Sequence, residues 1–413
     1  MVESVARTLY IDESRYETVY PLDEKLGLID INDTKSRYTQ RFAHILVELV
    51  AEMPVKRAVE ILDMVSEFKL GIASIPDIVA GIGNKYLPEM DAKSDLPVSS
   101  QVIPQQEKGF VRKKIEEIES NPDKDEIIKA AVEKSGNPDT GVTKSNVAEN
   151  TVFYVSCDGT GVSGIKKELE GKKGKQSDGS AKTFEAKIGV CFKQDFDGNG
   201  NPLLNNGDIF RQNESTKYTG TVDKVNEFGL MLYNFAVRNG IDQAGQITFL
   251  GDGATWIWGL QKKYFPDAIK IVDMFHAIEN LNIIINKLRF NKTAILEEFR
   301  DRCQKLLSLG EIDKLDALIM NKTTKSNKVA IDKKFEYFRK NKERMQYGLF
   351  TAAGLFVGSG VVEAACKTIV CSRLKRAGAH WSKKGAAYII AIRCAIMSKE
   401  FNKHLPKDSD CVA

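Results

Sequence analysis

Apolar residues recur at helical spacing from Tyr38 to Met53, with Phe42, Ile45, Leu46, Leu49 and Val50 on one face behind the N-cap candidates Asn32, Asp33 and Thr34. Pro54 stops the pattern. A second stripe (Ala58, Ile61, Leu62, Val65, Phe68) follows, and after Gly71 and the capping Ser74 a third (Ile78, Val79, Ile82). These predict three short helices with a Gly-containing turn between the last two. The arrangement fits a helix-turn-helix, in which IPDIVAGIGNKYL would enter a DNA groove. Any small helical bundle shows the same pattern, and that helix offers few basic or amide side chains for bases. Residues 89–106 are polar and aperiodic and read as a linker. Charged helices are expected over Phe110 to Glu119 and Lys124 to Lys134, then a loop, GNPDTGVTKSN.

From Thr151 the period changes. TVFYVSC reads as a buried strand ending at Asp158, and Phe184, Ala186, Ile188, Val190 and Phe192 at period two as the next. Between them, Gly171 to Lys175 reads as a solvated turn or, in the other reading, a phosphate contact. A third strand is expected from about Ile209 to Val222, followed by a helix capped by Asp223. The stretch ITFLGDGATWIWGLQKKYFPDAIKIVDMFHAIENL then supplies a strand ending at Asp252, a helix, a strand ending at Asp273, and another helix. This order is that of a ribonuclease-H-like α/β core with a mixed five-stranded sheet. In that fold the first and fourth strands are neighbours, which would bring Asp158 and Asp252 together.

The expected organisation has a helical domain with a helix-turn-helix pattern over 1–90, and a linker with charged helices over 91–148. The first part of the core spans 149–285 and an all-helical insertion 286–347. The core's carboxyl-terminal helices, carrying a third acidic residue, cover 348–400, and a tail covers 401–413.

Composition adds limits. A chain of 413 residues can hold two or three cores. No apolar run approaches the ~18 residues of a membrane span, so no membrane partner is expected, and MVESVARTLY lacks the design of a signal peptide. A soluble, cytoplasmic protein is the expectation. The net charge of +4 neither demands nor excludes a polyanionic partner. Seven cysteines without a CxxC pair argue against a disulfide framework and a zinc ribbon.

Two motifs are decoys. Gly159, Gly161 and Gly164 match GxGxxG after a strand, but IKKELEGKKGKQSDGS cannot supply the apolar-faced helix that a dinucleotide needs. Asp195 to Gly200 opens like a calcium loop but lacks the Glu at position twelve and is better read as a hairpin turn.

The carboxylates carry more. Asp158, Asp252 and Glu363, two on adjacent strands and one on a later helix, are the minimum needed to hold two divalent ions about 3.5–4 Å apart. Oxygen ligands suit Mg2+ or Mn2+. Strand-end Asp residues also form turns and cap helices, and Glu363 could serve the helix dipole alone. Glu279 competes with Glu363 as the third acid, and His276 beside Asp273 is either a site residue or a histidine satisfied by backbone. After Glu363 the polar side of the helix collects Lys367, Arg373, Lys375 and Arg376, with His380 and Trp381 following, a surface suited to DNA phosphate. Trp256 and Trp258 alternate and read as core, with base stacking by one of them as the other reading.

These blocks resemble DDE transposases of prokaryotic insertion sequences, most closely the ISKra type. The resemblance rests on CDGTGV, GDGATWIW, FPDAIKIVDMFHAIENL, and YFRKNKERMQY followed by GSGVVEAACKTIVCSRLKRAGAHWS, and runs from about residue 20 to 400. It implies DNA transposition with Asp158, Asp252 and Glu363 as the catalytic and metal-binding triad, two Mg2+ or Mn2+ ions, and Asp273-x-x-His276 as a supporting signature. DNA, as transposon ends and target, is the implied partner, bound by a homo-oligomer. Two departures stand out: Val370 occupies the position seven beyond the Glu where many relatives place Lys or Arg, and the segment before PLDEKLGL is short, implying a truncated copy. The alternatives are a catalytically decayed protein that binds transposon ends, and a ribonuclease-H-like nuclease without strand transfer.

Overall fold

A computed structural model describes residues 10–12, 17–19, 28–30, 37–65, 71–87, 109–135, 150–172, 181–205, 208–209, 211–212, 214–358 and 360–404. The expected N-cap at 32–34, the linker over 89–106, the loop over 136–146, residues 173–175 of the Gly-Lys turn and the tail beyond 404 lie outside the described residues.

The helices are α1 (Gln40–Glu52), α2 (Val55–Val65), α3 (Ile75–Tyr86), α4 (Phe110–Ser120) and α5 (Lys124–Ser135). Then come β1 (Asn150–Ser163), β2 (Thr183–Phe196), β3 (Lys217–Thr221), α6 (Val225–Arg238), β4 (Gln246–Gly251), α7 (Thr255–Tyr264), β5 (Ile269–Val272) and α8 (Met274–Ile285). The helical segment after α8 holds α9 (Thr293–Leu309), α10 (Ile312–Lys322) and α11 (Lys328–Asn341), followed by α12 (Tyr347–Ala352), α13 (Gly360–Ala365) and α14 (Lys383–Met397), with shorter helical turns at Lys166–Leu169 and Ser372–Leu374. Short two-stranded ladders join Tyr10–Asp12 to Glu17–Val19, Leu28–Asp30 to Arg37–Thr39, and Leu204–Asn205 to Asp208–Ile209. Among the described residues no helix is long and apolar enough to cross a membrane.

The five long strands form one mixed sheet in the order β5-β4-β1-β2-β3. β4 runs parallel to both β5 and β1, and β3 runs antiparallel to β2. Every residue of β4 is buried, which explains its continuous apolar reading where a half-exposed strand would alternate. Two strands differ from expectation. β1 does not stop at Asp158 but runs on through Gly159 and Gly161 to Ser163, and the third long strand is confined to Lys217–Thr221. Of the Asp195–Gly200 segment, Asp195 and Phe196 end β2 and 197–200 form a tight turn, in which the Asp197 carboxylate accepts the backbone N–H groups of Asn199 (3.0 Å) and Asn201 (2.8 Å).

The chain divides into two compact units that are not consecutive stretches: residues 1–88, 161–184 and 368–413 form one, and 89–160 with 185–367 form the other. In the first, the buried face of α3 (Ile75, Ile78, Val79, Ile82) packs on α14. This leaves Asp77, Asn84 and Lys85 on the exposed side of that helix. Three guanidinium groups from distant segments take the last carbonyls of α1. Arg373 Nε donates to Val50 (2.8 Å), Arg393 Nη1 to Ala51 (2.5 Å) and Arg376 Nη2 to Glu52 (2.9 Å). Arg393 also pairs with the Glu52 carboxylate (2.7 Å) and donates to the Thr368 carbonyl (2.7 Å). Carbonyls at a helix C-terminus lack intrahelical partners, and cations there also meet the favourable end of the helix dipole.

Arg393→Ala should lower the unfolding free energy by roughly 2–4 kcal/mol, because it strands charge-assisted acceptors in a buried setting. Urea unfolding measures this, and Arg393→Lys should recover little of it, since an ammonium cannot reach the same acceptors as a planar fork.

Candidate active site

The strand register builds the site. Leu250 pairs with Ser156 across β4 and β1, an offset of 94 (250 − 156), and the same offset sets Asp252 opposite Asp158. Gly251 pairs with Val272 across β4 and β5, an offset of 21 (272 − 251), which sets Asp273 opposite Asp252. Continued past the paired residues, the registers set three aspartates in a row at the carboxyl ends of three parallel strands, Asp158 within β1 and Asp252 and Asp273 just beyond β4 and β5, where adjacent strands lie about 4.8 Å apart.

Each carboxylate of the row is held by nearby backbone. Asp158 accepts the Gly159 N–H (2.6 Å), Asp252 Oδ1 the Ala254 N–H (2.7 Å), and Asp273, the N-cap of α8, the Phe275 N–H (2.7 Å). Asp273 is buried, whereas Asp158 and Asp252 are half-buried. Burial, with the charges of Asp158 and Asp273 adding to it, holds the Asp252 carboxyl above the usual carboxylate range, while the Ala254 N–H and His276 pull the other way. Asp158, Asp252, Asp273 and His276 thus form one electrostatic group.

The two candidate third acids hold partners of their own. Glu279 is exposed and faces His276 Nδ1 at 3.4 Å; Glu363, half-buried on the first turns of α13, pairs with Lys367 one turn on. Among the described residues, no three His, Cys, Asp or Glu side chains are grouped tightly enough to hold a metal ion.

The segment that leads into α13 and Glu363 is fastened to the sheet. Tyr154, on the same face of β1 as Asp158, donates its hydroxyl to Gln194 Oε1 (2.6 Å) and accepts the Phe356 N–H (3.1 Å), while Gln194 Nε2 donates to the Gly354 carbonyl (2.8 Å). Further on, the Met274 N–H donates to Val357 (3.0 Å), and the Phe275 ring sits where a Cβ on Gly358 would be (2.7 Å). The chain returning from the helical segment is thus fastened across the sheet and beside Asp273, five residues before Glu363. The other wall is Tyr337 of α11, whose ring occupies the space of a Cβ on Gly253, 1.9 Å away, so only glycine fits next to Asp252.

No protein-family model matches the chain. No curated protein matches it either.

The basic block differs from its expected placement. Arg373 is 5% exposed, not on the polar face: it caps α1, its guanidinium lies over the Trp381 ring (4.8 Å to the centroid), and burial holds it down at about 10. Trp381 is likewise committed, donating Nε1–H to Leu374 (3.2 Å) and pairing through its backbone with Ser163 and Ile165. Lys375, Arg376 and His380 are exposed, as is Lys367. Trp258 is buried, and Trp256 is half-buried with its edge against Phe228. Tyr154, Gln194 and Tyr337 were missed from sequence; the only sign was a polar Gln194 inside the apolar run of β2.

A carboxyl whose folded pKa lies above its unfolded value costs stability when ionised, and that cost is relieved as pH falls through the folded pKa. Asp252→Asn keeps the acceptor for Ala254 and removes the charge, so it should raise the melting temperature at pH 7. Its stability should also gain less on acidification than that of the unmodified protein, which thermal unfolding across pH 4–7 measures.

Proposed function

We propose that the protein is a DDE-type transposase that cleaves and joins DNA strands at the ends of an insertion sequence, on a ribonuclease-H-like core. The observation that carries this reading is the register that puts Asp158 and Asp252 side by side on parallel strands, with the chain leading to Glu363 fastened over the same face. The strand order β5-β4-β1-β2-β3 supports the fold assignment, since the first and fourth strands are neighbours.

The donor set fits Mg2+ or Mn2+. It is all oxygen, and burial beside like charges leaves Asp252 with a cost that a cation would relieve. Asp158, Asp252 and Glu363 would hold the ions, which when bound activate the attacking oxygen and stabilise the leaving oxygen in an in-line displacement at phosphorus. The protein's own groups do the positioning. Asp273 fixes the entry of α8 and so the place of His276, whose ring balances the charge of the row. Lys367 holds Glu363 by its carboxylate. Lys375, Arg376 and His380 offer exposed donors for DNA phosphate, with Arg373 and Trp381 bracing them from beneath. On this reading the protein works as a homo-oligomer on DNA, within the cytoplasm at the nucleoid.

Purified protein with paired, end-bearing DNA should cleave and join strands with Mg2+ or Mn2+ and do neither in chelator. Cleavage without joining would mark a nuclease, and binding without either a decayed copy. Glu363→Gln keeps size and helix propensity but should abolish turnover, while Glu279→Gln keeps most of it. The reverse order, with both variants folded and binding DNA, would make Glu279 the third acid.

Lys375→Ala should weaken DNA binding regardless of sequence and reduce the salt slope by about one. An unchanged slope counts against phosphate contact at that position.

A further inference from the structure

Tyr337 is buried at its hydroxyl, which makes no hydrogen bond within the protein. Asn280 stands beside it and favours its ionised form, while an Asn280 amide N–H goes to the His276 carbonyl (2.9 Å), and no hydrogen bond of normal geometry reaches the Tyr337 hydroxyl. A buried hydroxyl without a partner costs roughly 1–3 kcal/mol and calls for an explanation. Its location supplies one. The ring is pressed on Gly253, with Cζ, the atom that bears the hydroxyl, 3.0 Å from where a Gly253 Cβ would stand, and the next residue back is Asp252. Burial and the charges of Asp252 and Asp273 push the hydroxyl's pKa up, so it carries an O–H that can donate to a carboxylate of that row. Asp252 Oδ1 already accepts the Ala254 N–H, which leaves its other oxygen to be oriented.

We infer that Tyr337 is a positioning residue of the carboxylate row, donating its hydroxyl to Asp252 when the row draws together around a divalent cation. This rests on the reading of Asp158 and Asp252 as cation ligands. The helical segment thereby becomes part of the site, because its last long helix carries the donor. Tyr347 is the comparison: its hydroxyl is also buried without a hydrogen bond, and the groups acting on it are Tyr337 and Asp273, whereas Tyr337 is acted on by Asp252 and lies on Gly253.

The test is Mn2+ binding to the full chain, followed by electron paramagnetic resonance, with thermal unfolding in parallel. Tyr337→Phe keeps the ring and its contact with Gly253 and should weaken Mn2+ binding by about 10-fold, as loss of an outer-shell partner does, with little change in melting temperature. Tyr347→Phe should bind Mn2+ as the unmodified protein does. Equal loss in both variants, or loss of affinity in Tyr337→Phe only alongside a lower melting temperature, would overturn the inference in favour of a general packing effect. Asp252→Asn separates the two levels of the argument. If it abolishes Mn2+ binding while Tyr337→Phe leaves it intact, only the role of Tyr337 fails; if it binds Mn2+ normally, the row itself is not a cation site.

Discussion

The parallel register of β1, β4 and β5 is the constraint on which the rest of the molecule depends. Side chains alternate faces along a strand, so a slip of one residue would send Asp158 to the far side of the sheet from Asp252. The register is held by buried strands whose apolar residues have nowhere else to go: β4 is buried throughout, and Val152 to Cys157 of β1 are buried as well. Hydrophobic burial thus pays for a row of like charges that repel one another and sit partly out of water. Local backbone N–H donors at each Asp and the ring of His276 reduce that cost without removing it.

A second layer of support lies in buried polar groups. Tyr154 and Gln194 sit among apolar neighbours, with Tyr154 stacked on Phe192 at 4.6 Å, and their hydrogen-bonding capacity goes to backbone atoms of the segment from Gly354 to Phe356. Such a network is costly when incomplete and specific when complete. In the other compact unit, the guanidinium groups at the end of α1 use the same logic, with directional bonds fixing where a helix ends.

Much of this could be read from the chain. The switch from helical spacing to period two at Thr151, and the Asp residues after ITFL and IKIV, located the sheet and its acidic row. The end of β1 was misjudged because glycines that ordinarily break strands are here accommodated within one. Arg373 was misplaced for a different reason. A helical wheel assumes constant rotation per residue, but Cys366 to Cys371 are π-helical, which changes the rotation ahead of Arg373 and turns it inward. Tyr337 was out of reach because its contact with Gly253 spans more than eighty residues and leaves no local pattern.

The bond between Met274 and Val357 has an evolutionary consequence. It ties the start of α8 to the chain that returns from the helical segment, so the two ends of that segment are joined at the sheet whatever lies between. Extending a closed loop costs little, about 0.6 kcal/mol for each doubling of length. Within that segment α9 and α10 are therefore exchangeable: descendants can lengthen, trim or replace them, and the acidic residues will keep their places so long as the stem stays shut and α11 still delivers Tyr337 to Gly253.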